Sequence, residues 1–411
     1  MRCSLFILIA VVSLLVGVPP AAGMTAINDE PGHVFPAIAG DAAFPDLTQT
    51  AEREKYVILQ AWQTDRLRVL KAANPNLKVL VYQNLAFCTD PGLKQPASSG
   101  VPCTSAPDAW FLRNRKGHRF ASQSFPWLWA MDIGLRSYQR AWAANVNALL
   151  HSGPWDGVFI DDADPTMKYA YPAAAVAKYP DDAAYSAAMG KALAFIGPRI
   201  RADDKLAIAN FATWVEYPRL QDSWLSYLDG ALDEMFVKWG DTADTGYRDL
   251  QQWKAQVAEA AYASARGKIF LAFTHGPATD IGAAIYGYAS LLMAGNSASA
   301  YAYTADYSQE IWIPEYDYQI GHPLRKMQCH RGLCWRQFSR GIAIVDAGSS
   351  PGSLRLGARY SGSGLHSVDH VMLRPNTALV MTADQPSARP PSPVPVSTAP
   401  ISLSAQLRVD P

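Results

Sequence analysis

Apolar and polar positions follow one repeated rhythm along most of the chain. A short β-branched or aromatic run ends in polar residues, and an Ala-rich stretch at helical spacing comes next. Tyr56-Val57-Ile58-Leu59-Gln60-Ala61-Trp62 is the first clear strand, followed by a helix through Leu67 and Leu70. Further strands read at 77–84, 157–162, 205–210, 230–236, 268–274 and 299–303, with a weaker one at 127–132. Helical spacing begins near Ser137 and returns at about 182–200, 247–266 and 280–293. Strands alternating with helices predict parallel β-α-β units. With His33-Val34-Phe35-Pro36 as its first strand, the series has eight strands over about 280 residues, the size of a closed (β/α)8 barrel. A doubly wound open sheet is the rival, but no G-x-G-x-x-G follows any strand.

Beyond about residue 335 the rhythm changes. Runs at 341–346, 354–356, 370–373 and 377–381 are short, separated by Gly, Ser, Pro or Asn turns, with no helical period between them. The expected architecture is α/β: a (β/α)8 TIM barrel over 24–335 with a small C-terminal antiparallel β-domain over 336–384. Residues 385–411 are Pro/Ser-rich and are expected to be a disordered tail. At the other end, Arg2, the apolar run Leu5–Val18 and Pro19-Pro20-Ala21-Ala22-Gly23 spell a signal peptide over 1–23. A membrane anchor is the alternative, but 14 apolar residues fall short of the ~20 that a span needs. The mature protein is expected to be secreted or periplasmic and not held in a membrane.

Composition narrows the function classes. Lys and Arg number 36 against 36 Asp and Glu, which argues against a strongly basic nucleic-acid binder. Charged residues make up only 18% of the chain beside 12 Trp, 19 Tyr and 14 Phe, enough aromatic surface for a large core and a cleft. Without Cys3, four cysteines remain, and an even number in an exported chain predicts two disulfides. Proximity favours Cys88–Cys103 and Cys329–Cys334. No pair has the C-x-x-C spacing of a zinc site.

In a barrel of this kind the chemistry comes from the C-terminal ends of strands. Those ends supply Trp62, Tyr82, Asn84, Asp132, Asp161, Asp162, Asn210, Glu234, His275 and Tyr303. The set is polar, acidic and aromatic. It contains no G-x-S-x-G or HExxH, so no metal or other cofactor is expected. Asp156-Gly157-Val158-Phe159-Ile160-Asp161 and Asp229-Gly230-Ala231-Leu232-Asp233-Glu234 both place a carboxylate five residues after the Asp of an Asp-Gly pair. A period-2 strand started at the same place brings Asp161 and Glu234 to one height on one side. Two carboxylates across a cleft are what glycoside hydrolysis requires. Trp62, Trp110, Trp127, Trp129, Trp214 and Trp239 are candidate sugar platforms. The plainer readings are helix caps for Asp162 and Asp164, a structural role for His275, and core packing for each Trp.

The segments Asn74–Asn84, Trp110–Asn114 with Gly117, Met131-Asp132, Asp156–Asp162 and Asp229-Gly230 with Glu234 resemble the glycosyl hydrolase-like family 15. That group is allied to endo-α-1,4-polygalactosaminidases and α-galactosidase-like TIM-barrel glycosidases. The resemblance covers roughly residues 50–382, and it includes a Leu373-Arg374-Pro375-Asn376 approach to the last strand. It implies a (β/α)8 barrel with Asp161 as nucleophile or base and Glu234 as acid/base. The family's usual Asn-Pro after the first strand of the β-domain is Asp346-Ala347 here. The expected protein is a monomeric, secreted glycoside hydrolase acting on an extracellular or cell-wall polysaccharide. Asp162, Asp132, Asn210, Asn84, Tyr82, Trp62, Trp129, His275 and Tyr303 are expected to bind that substrate. The alternatives are a carbohydrate-binding barrel without catalysis and a metal-dependent polysaccharide hydrolase or deacetylase.

Overall fold

Eight parallel strands close into a barrel in the computed structural model of this chain. The structure describes residues 30–39, 42–89, 98–171, 176–385 and 390–394. The predicted leader and most of the predicted tail lie outside them. The strands are β1 (Gly32–Ala37), β2 (Tyr56–Leu59), β3 (Lys78–Asn84), β4 (Gly157–Asp161), β5 (Leu206–Asn210), β6 (Gly230–Asp233), β7 (Ile269–His275) and β8 (Ala300–Thr304). They pair in chain order, and β1 meets β8 at Gly32–Ala300 and His33–Tyr301. Around them lie α1 (Leu47–Arg53), α2 (Thr64–Ala73), α3 (Arg136–His151), α4 (Asp182–Arg201), α5 (Pro218–Trp224), α6 (Leu250–Ser264) and α7 (Ile281–Leu292). The weaker strand is real but lies off the barrel, since Leu128–Ala130 pairs antiparallel with Phe87–Thr89 in the long β3–β4 connection.

The two Asp-Gly pairs explain how strands β4 and β6 start in step. Each Asp accepts a hydrogen bond from the backbone of the preceding strand: Val79 N–H to Asp156, 2.9 Å, and Ala207 N–H to Asp229, 3.0 Å. Each glycine lies against the following strand. A Cβ on Gly157 would come within 2.3 Å of the Leu206 carbonyl oxygen, and one on Gly230 within 2.5 Å of that of Ile269. Only glycine allows that approach.

Alternate residues from all eight strands fill the barrel: Val34, Ile58, Leu80, Phe159, Ile208, Leu232, Leu271, Phe273 and Ala302 are among them. Two residues further on, the same inward parity reaches Tyr82, Asp161, Asn210, Glu234, His275 and Thr304. The apolar plug therefore ends in a polar, acidic layer at the mouth.

The C-terminal sheet contains β9 (Gln328–His330), β10 (Leu333–Gln337), β11 (Gly341–Asp346), β12 (Gly352–Gly362), β13 (Leu365–Leu373) and β14 (Thr377–Ala383), ordered β9-β10-β11-β14-β12-β13. β11 is buried on both faces. Ile342 and Ile344 enter the sheet's own core, while Ala343 and Val345 join the apolar layer around the barrel. α7 packs against both β11 and β14, which is why its sequence is apolar almost all round. Ser392–Pro393 adds a short seventh strand beside β12. The two disulfides are Cys88–Cys103 and Cys329–Cys334, and the second joins directly opposed residues of β9 and β10.

Candidate active site

A chain of hydrogen bonds crosses the barrel mouth. Tyr82 donates its hydroxyl to Asp161 Oδ2 at 2.5 Å, and Asn210 Nδ2 donates to Asp161 Oδ1 at 2.9 Å. The same nitrogen donates to Glu234 Oε2 at 2.8 Å, and Tyr307 donates to Glu234 Oε1 at 2.5 Å. One amide thus spans the two carboxylates, and a phenol holds each from the far side. Two carboxylate oxygens converge on that atom of Asn210, so it must be the amide nitrogen with its two hydrogens.

Two more carboxylates line the same floor. Asp162 accepts from Asn84 Nδ2 at 2.5 Å, with its backbone in the left-handed region (φ 54°). Asp164 accepts from the Thr213 hydroxyl at 2.9 Å. Burial pushes Glu234 up to about 6, helped by the charge of Asp161 and opposed by the Tyr307 and Asn210 hydrogen bonds. Burial likewise raises Asp164 to about 7 and Asp162 well above the usual carboxylate range. None of the ion pairs among the described residues involves these four groups. Nor do three His, Cys, Asp or Glu side chains among the described residues form a set that could hold a metal ion.

The structure brings Tyr82, Asn84, Asp161, Asp162, Asn210 and Glu234 together at the mouth. His275 stands at its edge, stacked against the exposed Trp239 with ring centroids 4.5 Å apart. Trp62 is exposed in the turn after β2, and Trp129 is half-buried in the small strand pair outside the barrel. Asp132 is buried with partners outside this chain of bonds: Lys178 Nζ donates to it at 2.6 Å and the Tyr179 hydroxyl at 2.8 Å. Tyr303 has the outward parity of β8, and its hydroxyl donates to the Pro277 carbonyl at 2.9 Å.

Sequence reasoning did not find Tyr307. It follows the last barrel strand by three residues, in a polar loop with no period to mark it. Asp164, absent from the expected substrate-binding residues, is also part of the floor.

A sequence profile of the hypothetical glycosyl hydrolase family 15 matches residues 71–342. No curated protein matches the chain. Among solved structures, the glycoside hydrolase domain of PelA from Pseudomonas aeruginosa is 14% identical, covering 69% of this chain and 99% of its own, with a TM-score of 0.45. Ega3 from Aspergillus fumigatus, in complex with galactosamine, is 10% identical over 71% of this chain and 96% of its own, with a TM-score of 0.42. The maltogenic α-amylase AmyB from Thermotoga neapolitana is 11% identical over 87% of this chain and 97% of its own, with a TM-score of 0.49. The profile spans more than half of the sequence, β3 to β11, and takes in Asp161 and Glu234: the chain belongs to the hypothetical glycosyl hydrolase family 15 and is a glycoside hydrolase.

Proposed function

We propose that the protein is a retaining glycosidase that cleaves an extracellular polysaccharide, with Asp161 as nucleophile and Glu234 as acid/base. The observation that carries this reading is the single Asn210 amide between the two carboxylates. Their bridged oxygens lie no further apart than its two hydrogen bonds laid end to end, 5.7 Å. Inverting enzymes keep their carboxyls about 6.5–9.5 Å apart to admit a water, whereas retaining ones hold them at about 5–5.5 Å. That ceiling on the facing oxygens supports the second range.

The roles follow from the surroundings. A proton donor must still hold its proton near the working pH, and Glu234 at about 6 does so in mildly acidic solution. Asp161, fixed by Tyr82 and Asn210, attacks the anomeric carbon as Glu234 protonates the departing oxygen. Glu234 then takes a proton from water, which attacks the glycosyl–Asp161 ester and releases the sugar. Asp162 and Asp164 exchange hydrogen bonds with hydroxyls of the bound sugar, donating where burial keeps them protonated. Exposed Trp239 at the rim suits a chain longer than one sugar. Two disulfides fit an oxidising, extracytoplasmic setting.

NMR of the first product formed from a panel of polysaccharides tests the mechanism. The released reducing end should have the same anomeric configuration as the bond cleaved. An inverted first product would refute the nucleophile role of Asp161.

A further inference from the structure

We propose that Tyr307 is the positioning residue of the acid/base: its hydroxyl holds Oε1 of Glu234, donating to it when ionised and accepting from it when protonated. The inference rests on Glu234 being the proton donor in the reading above.

Of the two Glu234 oxygens, one faces a group in this chain of bonds that can also accept a proton. Glu234 Oε2 is occupied by an Asn210 N–H, which can only donate, so a proton shared along this chain of bonds sits on Oε1. The group facing Oε1 is the Tyr307 hydroxyl, at 2.5 Å. A hydroxyl can reverse its role where an amide N–H cannot. With Glu234 ionised, Tyr307 donates. With Glu234 protonated, Oε1–H points at the phenol oxygen, and the incoming glycosidic oxygen takes over that place. Proton transfer then breaks the Oε1–H bond and forms an O–H bond on the leaving group, and Tyr307 returns to donating to the carboxylate.

The backbone supports a dedicated placement. Tyr307 has φ 64°, a region that bulky side chains avoid and that persists where the surroundings enforce it. Here they do. Its N–H bonds Thr304 Oγ1 at 2.8 Å, the Ser308 N–H bonds Asp306 at 3.0 Å, and the Ala43 N–H bonds the Ser308 carbonyl at 2.7 Å. The loop after β8 is thus pinned to the loop after β1, with the phenol aimed across the barrel mouth.

The titratable groups around Glu234 are Asp161 on β4, Asp162 and Asp164 in the loop after it, and its chain neighbour Asp233. Tyr307 itself, Tyr82 at the other end of the chain of bonds and the His275 ring, 6.4 Å from the Tyr307 ring, face the same site. The carboxylates favour the protonated form of Glu234, and Tyr307 opposes them by donating to the ionised form.

The test is the pH profile of kcat/KM for Tyr307→Phe on the intact protein. The alkaline limb, set by loss of the Glu234 proton, should move up by about one pH unit, because the ionised form loses a donor. On substrates with poor leaving groups kcat should fall roughly tenfold, and on aryl glycosides with good leaving groups it should be nearly spared. Tyr303→Phe, which removes a phenol outside the barrel, should change neither. Tyr307→His keeps a ring and a donor, so its limb should lie nearer the parent's. An unmoved or lowered alkaline limb in Tyr307→Phe, or equal losses on both substrate types, overturns the proposal. Glu234→Gln separates the two levels: if it is inert while the Tyr307→Phe limb stays put, only the role of Tyr307 falls. If Glu234→Gln turns over normally, both readings fall.

Discussion

Asp233 and Glu234 are consecutive residues, and burial pushes both up to about 6, yet they face opposite sides of the barrel wall. Glu234 turns inward to the mouth, where Asp161 waits across one amide. Asp233 turns outward and is buried beneath α6, where Gln256 Nε2 donates to it at 2.8 Å and the Met235 N–H at 3.1 Å. Its neighbour there is Glu259, raised well above the usual carboxylate range by burial and by the charge of Asp233. Each side of the strand therefore holds a carboxylate of high proton affinity beside a second carboxylate. Proton affinity reports burial and neighbouring charge, and it does not distinguish a catalyst from a strut. Access does.

The sharpest way to break this comparison is to disable each pair in turn. Asp161→Asn and Glu234→Gln should each lower kcat by a factor on the order of 10² or more, since positioned proton transfer alone contributes ~10²–10⁴. Both should melt near the parent temperature. Asp233→Asn should show the reverse, with turnover within a few-fold of the parent and a lower melting temperature. Kinetics and thermal denaturation of the three variants decide it, and a dead but stable Asp233→Asn would erase the distinction.

A second, smaller effect is a pH dependence of stability. Folding raises the proton affinity of Asp233 to about 6 and that of Glu259 further above its ordinary value. Groups raised in this way stabilise the fold fully below their unfolded values of about 4, and that stability is lost as pH rises through the folded values. Glu259→Gln removes one of the two buried charges formed at high pH. Its melting temperature should fall less than the parent's between about pH 4 and 8, and parallel curves would show that the outer pair carries no such cost.

Smaller still is the rim. Trp239 lies exposed against His275, and a sugar face stacked on it would gain about 1 kcal/mol, or roughly fivefold in affinity. Trp239→Ala should raise KM for long chains by about that factor and leave kcat on a small aryl glycoside unchanged. The smallest effect belongs to the last strand. Ending the chain after Asp384 removes the Ser392–Pro393 pairing with β12, at a cost of only a degree or two in melting temperature.

Much of the barrel was legible because periodicity survives tertiary packing. The Asp-Gly spelling placed Asp161 and Glu234 at one height, and the structure supplies the reason: two glycines that the adjacent strand will not let carry a Cβ. A strand end alone does not tell which way Tyr303 points. One step along β8 turns the side chain to the other face, and the phenol goes to Pro277 instead. Asp132 follows a strand that belongs to no barrel position and pairs with Phe87–Thr89, so the barrel's periodicity does not tell where its side chain points. Tyr307 had no signal. Its place is set by its own N–H on the Thr304 hydroxyl and by the Ala43 N–H on the carbonyl of the next residue, Ser308, a bond between segments far apart in sequence.

The hydrogen-bonded relay at the mouth draws on residue 82 at one end and residue 307 at the other. Between them the chain must lay down β4 to β8, and β8 must find β1, 268 positions earlier at the Gly32–Ala300 pair. Such distant pairing is slow, because the entropy of closing the loop is spent before the contacts form. A half-built chain would own Asp161 but neither Glu234 nor its phenol, and could not hydrolyse anything. Enzyme activity in this protein is therefore a late event in its own assembly: hydrolysis recovered during refolding should trail tryptophan burial, timing the moment the ring is sealed.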